Sequence, residues 1–342
     1  MYQHDTTDPA GRQAVSPKKL RDVLDIVKEK RVASVTAAGY MHALCVDHVM
    51  INPDAWMRTL HCGDVISMLE TEDRQTRKLK SSYFCGQRLC PGCAYRGSLV
   101  NAVTISAITG AMVDGGYTAL LVTVTAPNCS GVQLSDEIKR YNRAWNDLMK
   151  NDPYKTSWKH HIRKFEVTYN QQANTYHPHI HALVYVKAGY FGGHNKQYIS
   201  QDRLLKDWRR VFKDQSITQV DIRKTHGQDW QAISELSKYI AKSSDYLTDY
   251  DTFKTYYVSL RGKRITGYAG RCKELRAEFK AGGLRKYIEP DLTQYVWLVV
   301  YADYQQTGNY EEISRKPYDE STIDSNITTK AAYPPEWDKL AD

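Results

Sequence analysis

At 342 residues the chain is long enough for two or three structural units with ample core. A charged fraction of 25% and an apolar fraction of 42% are those of an ordinary globular protein and exclude a low-complexity or fibrous chain. The net charge of +8 suggests a polyanionic partner, and no apolar run approaches the roughly 20 residues of a membrane helix, so a cytoplasmic protein with no membrane partner is expected.

The opening stretch, MYQHDTTDPAGRQAVSPKK, lacks the apolar region of a signal peptide, and residues 1–17 are expected to be disordered. An N-terminal helical segment spans 18–60. Within it KKLRDVLDIVKEKR (18–31) sets Leu20, Val23, Leu24 and Val27 on one side of a helix, whereas residues 32–60 carry no clear period. Residues 61–97 hold four of the seven cysteines, an odd total that argues against a disulfide framework. Cys62, Cys85, Cys90 and Cys93 are spaced C-x22-C-x4-C-x2-C and end in a Cys-Pro-Gly-Cys knuckle. That spacing suits a closed, structural zinc site of four thiolates, with His61 an alternative ligand for one position. A redox C-x-x-C is the competing reading, but no strand-to-helix context of the thioredoxin kind surrounds it. Lys78, Lys80, Arg88 and Arg96 in the same segment can meet phosphates, and a solvated surface accounts for them equally well. Cys45, Cys129 and Cys272 read as ordinary buried thiols.

Residues 98–250 read as an α+β unit, helices packed on an antiparallel sheet. A helix is expected from Leu99 to Val113 and is ended by Gly115-Gly116. YTALLVTVT (117–125) is a β-branched strand, and Ser135 is the expected cap of a helix through Lys150. Next come two strands joined by Gln-Gln-Ala-Asn, a hairpin loop. In the first, Phe165, Val167 and Tyr169 share one parity and Lys164, Glu166 and Thr168 the other; in the second, Ile180, Ala182, Val184 and Val186 oppose His177, His179 and His181. If Asn170 pairs with Thr175, Glu166 lies directly opposite His179, and a slip of two puts it opposite His181. Either register gathers two imidazoles and a carboxylate on one sheet face, a three-ligand metal site with open positions. The bland alternative is a solvated, histidine-rich sheet face. Ser200 then caps QDRLLKDWRRVF, ITQVDIRKT forms a short strand, and a helix covers roughly 229–243.

On that last helix Glu235 and Tyr239 are one turn apart, with Tyr246 two turns beyond Tyr239 on much the same side. Lys238 and Lys242 flank the tyrosine and can hold phosphates. Residues 251–309 form a basic C-terminal region. Arg261, Lys263 and Arg264 lie there with Tyr256, Tyr257 and Tyr268 interleaved, which suits nucleic acid as well as it suits a solvated helix face. TQYVWLVVYADYQ (293–305) reads as a buried strand, and 310–342 as a loose polar tail.

HPHIHALVYV with EVTYN upstream, TVTAPN before it, the FCGQRLCPGC knuckle and ELSKYIAKSSDY downstream resemble the rolling-circle plasmid replication initiators, the single-tyrosine type within the HUH endonucleases. The resemblance covers roughly residues 60–250, in the family's order. It implies that His179 and His181 are metal ligands, Tyr239 the nucleophile and Glu235 the promoter of a terminating hydrolysis; Glu166 as third ligand rests on the hairpin register. Where the family often shows an acidic residue after the Ala-Lys pair, this chain has Ser243. The implied function is nicking of origin DNA, single-stranded or in a hairpin, through a 5′-phosphotyrosine link that frees a 3′-OH primer, followed by cleavage and rejoining at termination. A divalent ion (manganese or magnesium) and a structural zinc are the implied cofactors, and the host replication machinery the implied partner. A relaxase or transposase shares this chemistry. A non-catalytic zinc-dependent DNA-binding protein and a water-activating metal nuclease are the readings from other classes.

Overall fold

The computed structural model describes residues 22–49, 52, 54–192, 197–225, 229–237, 241–288 and 290–319. The elements are, first, α1 (Val23–Val46), α2 (Asp54–Leu60), β1 (Val65–Glu70), β2 (Arg77–Ser82), α3 (Pro91–Asp114), β3 (Tyr117–Thr125), α4 (Gly131–Lys150) and α5 (Tyr154–Ser157). There follow β4 (His160–Asn170), β5 (Thr175–Lys187), α6 (Gln201–Phe212), β6 (Val220–Lys224), α7 (Trp230–Ser237), α8 (Ser243–Tyr246), α9 (Tyr250–Leu260), β7 (Thr266–Ala269), α10 (Arg271–Lys280), β8 (Trp297–Ala302) and β9 (Glu311–Pro317). The architecture is α+β, with two antiparallel sheets ordered β6-β3-β5-β4-β7 and β2-β1-β8-β9.

The five-stranded sheet is covered on both faces because each strand splits its side chains by parity. One face carries Val122, Val124, Phe165, Val167, Ile180, Ala182 and Val184, and buries them under α4, α6 and α9 with Tyr141, Trp145, Trp208 and Phe212. Each of these aromatic side chains contributes on the order of 2–3 kcal/mol through burial, so this layer is the main core. On the other face Leu121, Ile162, Leu183 and Tyr185 meet Ile105 and Ile108 of α3, Ile233 and Leu236 of α7, and Cys272 and Leu275 of α10. The histidines lie on this same face, toward its other end.

Several boundaries differ from the sequence expectation, each for a local reason. Helix α1 runs on to Val46, because Ser34, Ala37, Ala38, Met41 and Leu44 continue its buried stripe with small residues that give little hydrophobic contrast. Helix α3 begins at Pro91 with Cys90 as its N-cap, eight residues before Leu99, since proline is tolerated in a helix's first turn. The cap of α4 is Ser130, in a capping box with Gln133, and not Ser135. Helix α7 does not reach 243: Ala241 and Lys242 are non-helical and α8 is a separate turn, so Tyr246 is buried in the main core and off the Glu235 face.

The expected unit boundaries shift too. Strand β7 adds to the edge of β4, with the Phe165 amide donating to the Ile265 carbonyl at 2.9 Å, so the central sheet extends past residue 250. Residues 61–97 contribute β1 and β2 to a sheet completed by β8 and β9, and 311–317 form a strand where a loose tail was expected. Its polar sequence, EEISRKP, suits a largely exposed edge. Helix α3 is long and apolar enough to cross a membrane by length and composition, contrary to the expectation that no such run exists. Its second half, from Thr104 to Met112, is packed inside the protein.

Gly270 closes the turn between β7 and α10 at φ +53°, ψ −137°, a region open to glycine alone. A Cβ there would lie 2.4 Å from His160 Nδ1 and 2.7 Å from the Lys159 carbonyl. Gly270→Ala is therefore expected to destabilise the fold by about 1–3 kcal/mol, read as a lowered thermal midpoint, whereas Gly189→Ala, which meets nothing within 4 Å, leaves it unchanged.

Candidate functional site

The β4–β5 hairpin pairs Asn170 with Thr175 and hence Glu166 with His179 and Lys164 with His181. Strand β3 sets Thr123 opposite His181 and Thr125 opposite His179. Parity therefore brings Glu166, His179, His181, Lys164, Thr123 and Thr125 to one face. Glu166 Oε2 lies 3.5 Å from His179 Nε2 and 3.6 Å from His181 Nε2. All three residues are nearly closed to solvent. Helix α7 brings in Glu235, whose Oε2 is 3.9 Å from His181 Nε2.

The hydrogen bonds orient both rings. His179 Nδ1 lies 3.2 Å from the His177 carbonyl, which only accepts, so Nδ1 carries the proton and Nε2 faces the carboxylate. Thr123 Oγ1 holds His181 Nδ1 at 2.9 Å and fixes the orientation of that ring. The His179 Nε2 lone pair and a carboxylate oxygen aimed at one another repel unless a cation or a proton lies between them. The ligand atoms lie within 4.8 Å of one another, so the set can hold a divalent ion. His177 is set back from this group: its Nε2 bonds Thr125 Oγ1, its ring stacks on His179, and burial with the neighbouring His179 lowers its pKa.

Lys164 is the residue that sequence reasoning passed over. It is buried beside the triad, and burial brings its pKa down to about 8 against the opposing pull of Glu166. The available signal was its parity with Glu166. Tyr239 and Lys238 lie outside the described residues. Lys242 is exposed at the start of α8. Arg261 and Arg264 are exposed in the turn before β7, while Lys263 sits near Lys139 and Asp136 of α4, on the far side of the sheet from the triad.

A second group forms where β2 leads into α3. Cys62, Cys85, Cys90 and Cys93 are buried together with Cys62 and Cys85 sulfurs 3.6 and 3.5 Å from that of Cys93, too far for any disulfide. Amides of Gly86, Cys85 and Gln87 point at the Cys93, Cys62 and Cys85 sulfurs, and Ser34 Oγ lies 3.3 Å from Cys90. Hydrogen bonding among the sulfurs, with burial, holds the Cys62 and Cys93 thiols well above their usual pKa. Against its own burial, bonds from the other three and Ser34 bring Cys90 below it. Four thiols at this spacing cannot all ionise without a cation, and the donor set fits a tetrahedral thiolate site. His61 does not replace a cysteine; it pairs with Asp64 at 2.6 Å. Buried Arg31 ties this corner together, reaching Asp64, Asp303 and the Leu60 and Cys62 carbonyls.

Residues 76–295 match the family model described as "Replication protein". The chain is similar to a "Protein rep" of Staphylococcus aureus, 33% identical over 187 residues that cover 54% of this chain and 81% of that protein. A "Protein rep" of Streptococcus pneumoniae is 33% identical over 223 residues, covering 63% and 69%. One from Bacillus amyloliquefaciens is 31% identical over 250 residues, covering 66% and 73%. No solved structure matches.

The cysteine group makes a direct prediction. Purified protein should carry about one zinc per chain, Cys93→Ala should lose it together with thermal stability, and acidification should release it because protons compete for the thiolates. Retention of full zinc by Cys93→Ala, measured by elemental analysis, would remove the cluster as its site.

Proposed function

Because the chain belongs to the replication protein family, the family of plasmid replication initiators, we propose that it opens rolling-circle replication by nicking one origin strand through a tyrosine. The observation that carries this reading is the buried Glu166–His179–His181 group with Glu235 beside it. A water-activating nuclease centre of the same ligands needs no tyrosine, whereas in this sequence Tyr239 follows Glu235 by four residues.

A divalent ion, manganese or magnesium, held by Glu166, His179 and His181 would polarise the scissile phosphate. The chain's own groups do the rest. Lys238 and Lys242 favour the phenolate of Tyr239, whose free pKa is near 10. The phenolate oxygen bonds to phosphorus as the bond to the 3′ oxygen breaks; the phenol proton leaves to solvent and the departing oxygen takes one up. The products are a 5′-phosphotyrosine link and a 3′-OH that a host polymerase extends. At termination Glu235 takes a proton from water, which cuts the regenerated origin without a second tyrosine. Origin DNA in a single-stranded or hairpin form is the substrate, since the reacting phosphate must stand clear of a duplex. The setting is the cytoplasm, and HUH-type chemistry is part of this proposal.

The test is a denaturing gel of labelled origin oligonucleotides with and without manganese. Wild type is expected to form a metal-dependent protein–DNA adduct. Tyr239→Phe should lose the adduct and slow nicking at least about 10³-fold, while Glu235→Ala keeps the adduct and loses termination. Cleavage without an adduct would replace this reading with a water-activating nuclease. Intact DNA throughout would leave a binding protein.

A further inference from the structure

The four-stranded sheet has two unlike faces. One packs on α1 through Ile66, Met68, Val299 and Tyr301, and its charges are closed on themselves. There buried Glu70 accepts from Arg77 at 2.8 Å, Tyr301 at 2.6 Å and Arg315 at 2.9 Å. The register sends Ser67, Leu298, Val300 and Ser314 to the other face, together with Lys78 opposite Leu69 and Lys316 opposite Leu298. Lys80 is the extra residue of a bulge in β2 and reaches the same side, lying 4.7 Å over the ring of Tyr318. On this face Lys78, Ser314 and Lys316 are exposed, Ser67, Lys80, Leu298 and Val300 are half-buried, and Leu69 is buried.

Lysines predominate at one end of this face, while Glu311, opposite Ala302, shares its other end. Among the described residues Lys78 has Asp291 at 2.6 Å, whereas Lys80 meets an aromatic ring and the positive charge of Lys316. Burial and the nearby positive charge of Lys316 together lower the pKa of Lys80. The aromatic rings on this side are already capped, Tyr318 by Lys80 and Tyr295 by Lys78 at 5.9 Å, so they are poorly placed to stack on bases. A flat lysine-bearing face whose Tyr295 and Tyr318 rings lie under lysines suits phosphates in a regular helix rather than an unstacked single strand.

We propose that this outer face, through Lys78, Lys80 and Lys316, docks the phosphate backbones of duplex DNA flanking the nicked strand. The assignment rests on the replication-initiator reading. It gives the chain two separate DNA contacts: the histidine face for the strand that reacts, and the second sheet for the duplex that does not.

The experiment measures binding of the full-length protein to a labelled duplex several helical turns long, across a salt series, for wild type and the Lys78→Gln/Lys80→Gln/Lys316→Gln variant. Duplex affinity should fall at least about tenfold, and the slope of log K against log salt should flatten by about 2–3 units, one for each phosphate no longer neutralised. Nicking of a short single-stranded oligonucleotide should stay at the wild-type rate. Lys316→Glu alone, at an exposed position, should weaken duplex binding more than Lys316→Gln, which covers the case of a triple variant that does not fold. Unchanged duplex affinity and slope would overturn the proposal. So would an equal loss on single-stranded DNA. If wild type forms no adduct yet the lysines still govern duplex binding, the nicking reading fails and the surface stands.

Discussion

Everything at the histidine face depends on one register: Glu166 against His179 in the β4–β5 pair. Strand side chains alternate with a period of two, so a slip of one residue would send the triad into the aromatic layer under α4 and expose Phe165, Val167 and Ile180. The apolar face thus holds the polar one in place. Burial of that layer far outweighs the cost of crowding two imidazoles and a carboxylate, and a protein that keeps its core keeps its ligand geometry. Thr123 and the His177 carbonyl then need only orient the rings.

The hairpin was legible from sequence because both its determinants are local: strict alternation and a four-residue loop. So were β3 and the Ser200-capped α6, whose apolar contrast is strong. What escaped was of two kinds. Small residues hid the second half of α1, where Ala37 and Ala38 fill the buried positions usually marked by leucine. Pairing distant in sequence hid the second sheet, since nothing in β1 announces that its neighbour will be β8, more than two hundred residues later. At the site, Glu166, His179, His181 and Glu235 were named from pattern and resemblance, whereas Lys164 was seen only as a parity mate. Its depth in the fold is a tertiary fact that alternation does not encode.

The second sheet changes how the chain is divided. Segments expected to stand apart, the cysteine-bearing stretch and the polar end, are strands of one sheet, locked by Arg31 to Asp64 and Asp303 and by Arg315 to Glu70. Breaking one of these buried pairs would strand its partner's charge, a heavier cost than the net worth of the pair. The sheet therefore behaves as a single body with α1 and the cysteines.

Helix α3 joins that body to the five-stranded sheet. It begins at Cys90 as N-cap, carries Cys93 in its first turn, and ends packed on α7 and α10, with Tyr117 of β3 three residues further on. Its 24 residues make a rod about 36 Å long at 1.5 Å per residue. A rod of this kind transmits angle as well as distance. Adding one residue to its middle would turn the cysteine corner by about 100° about the axis, while adding seven would nearly restore the phase. The length of this connection is therefore quantised, and relatives that differ in it should differ by whole turns, like gears that mesh only at certain teeth.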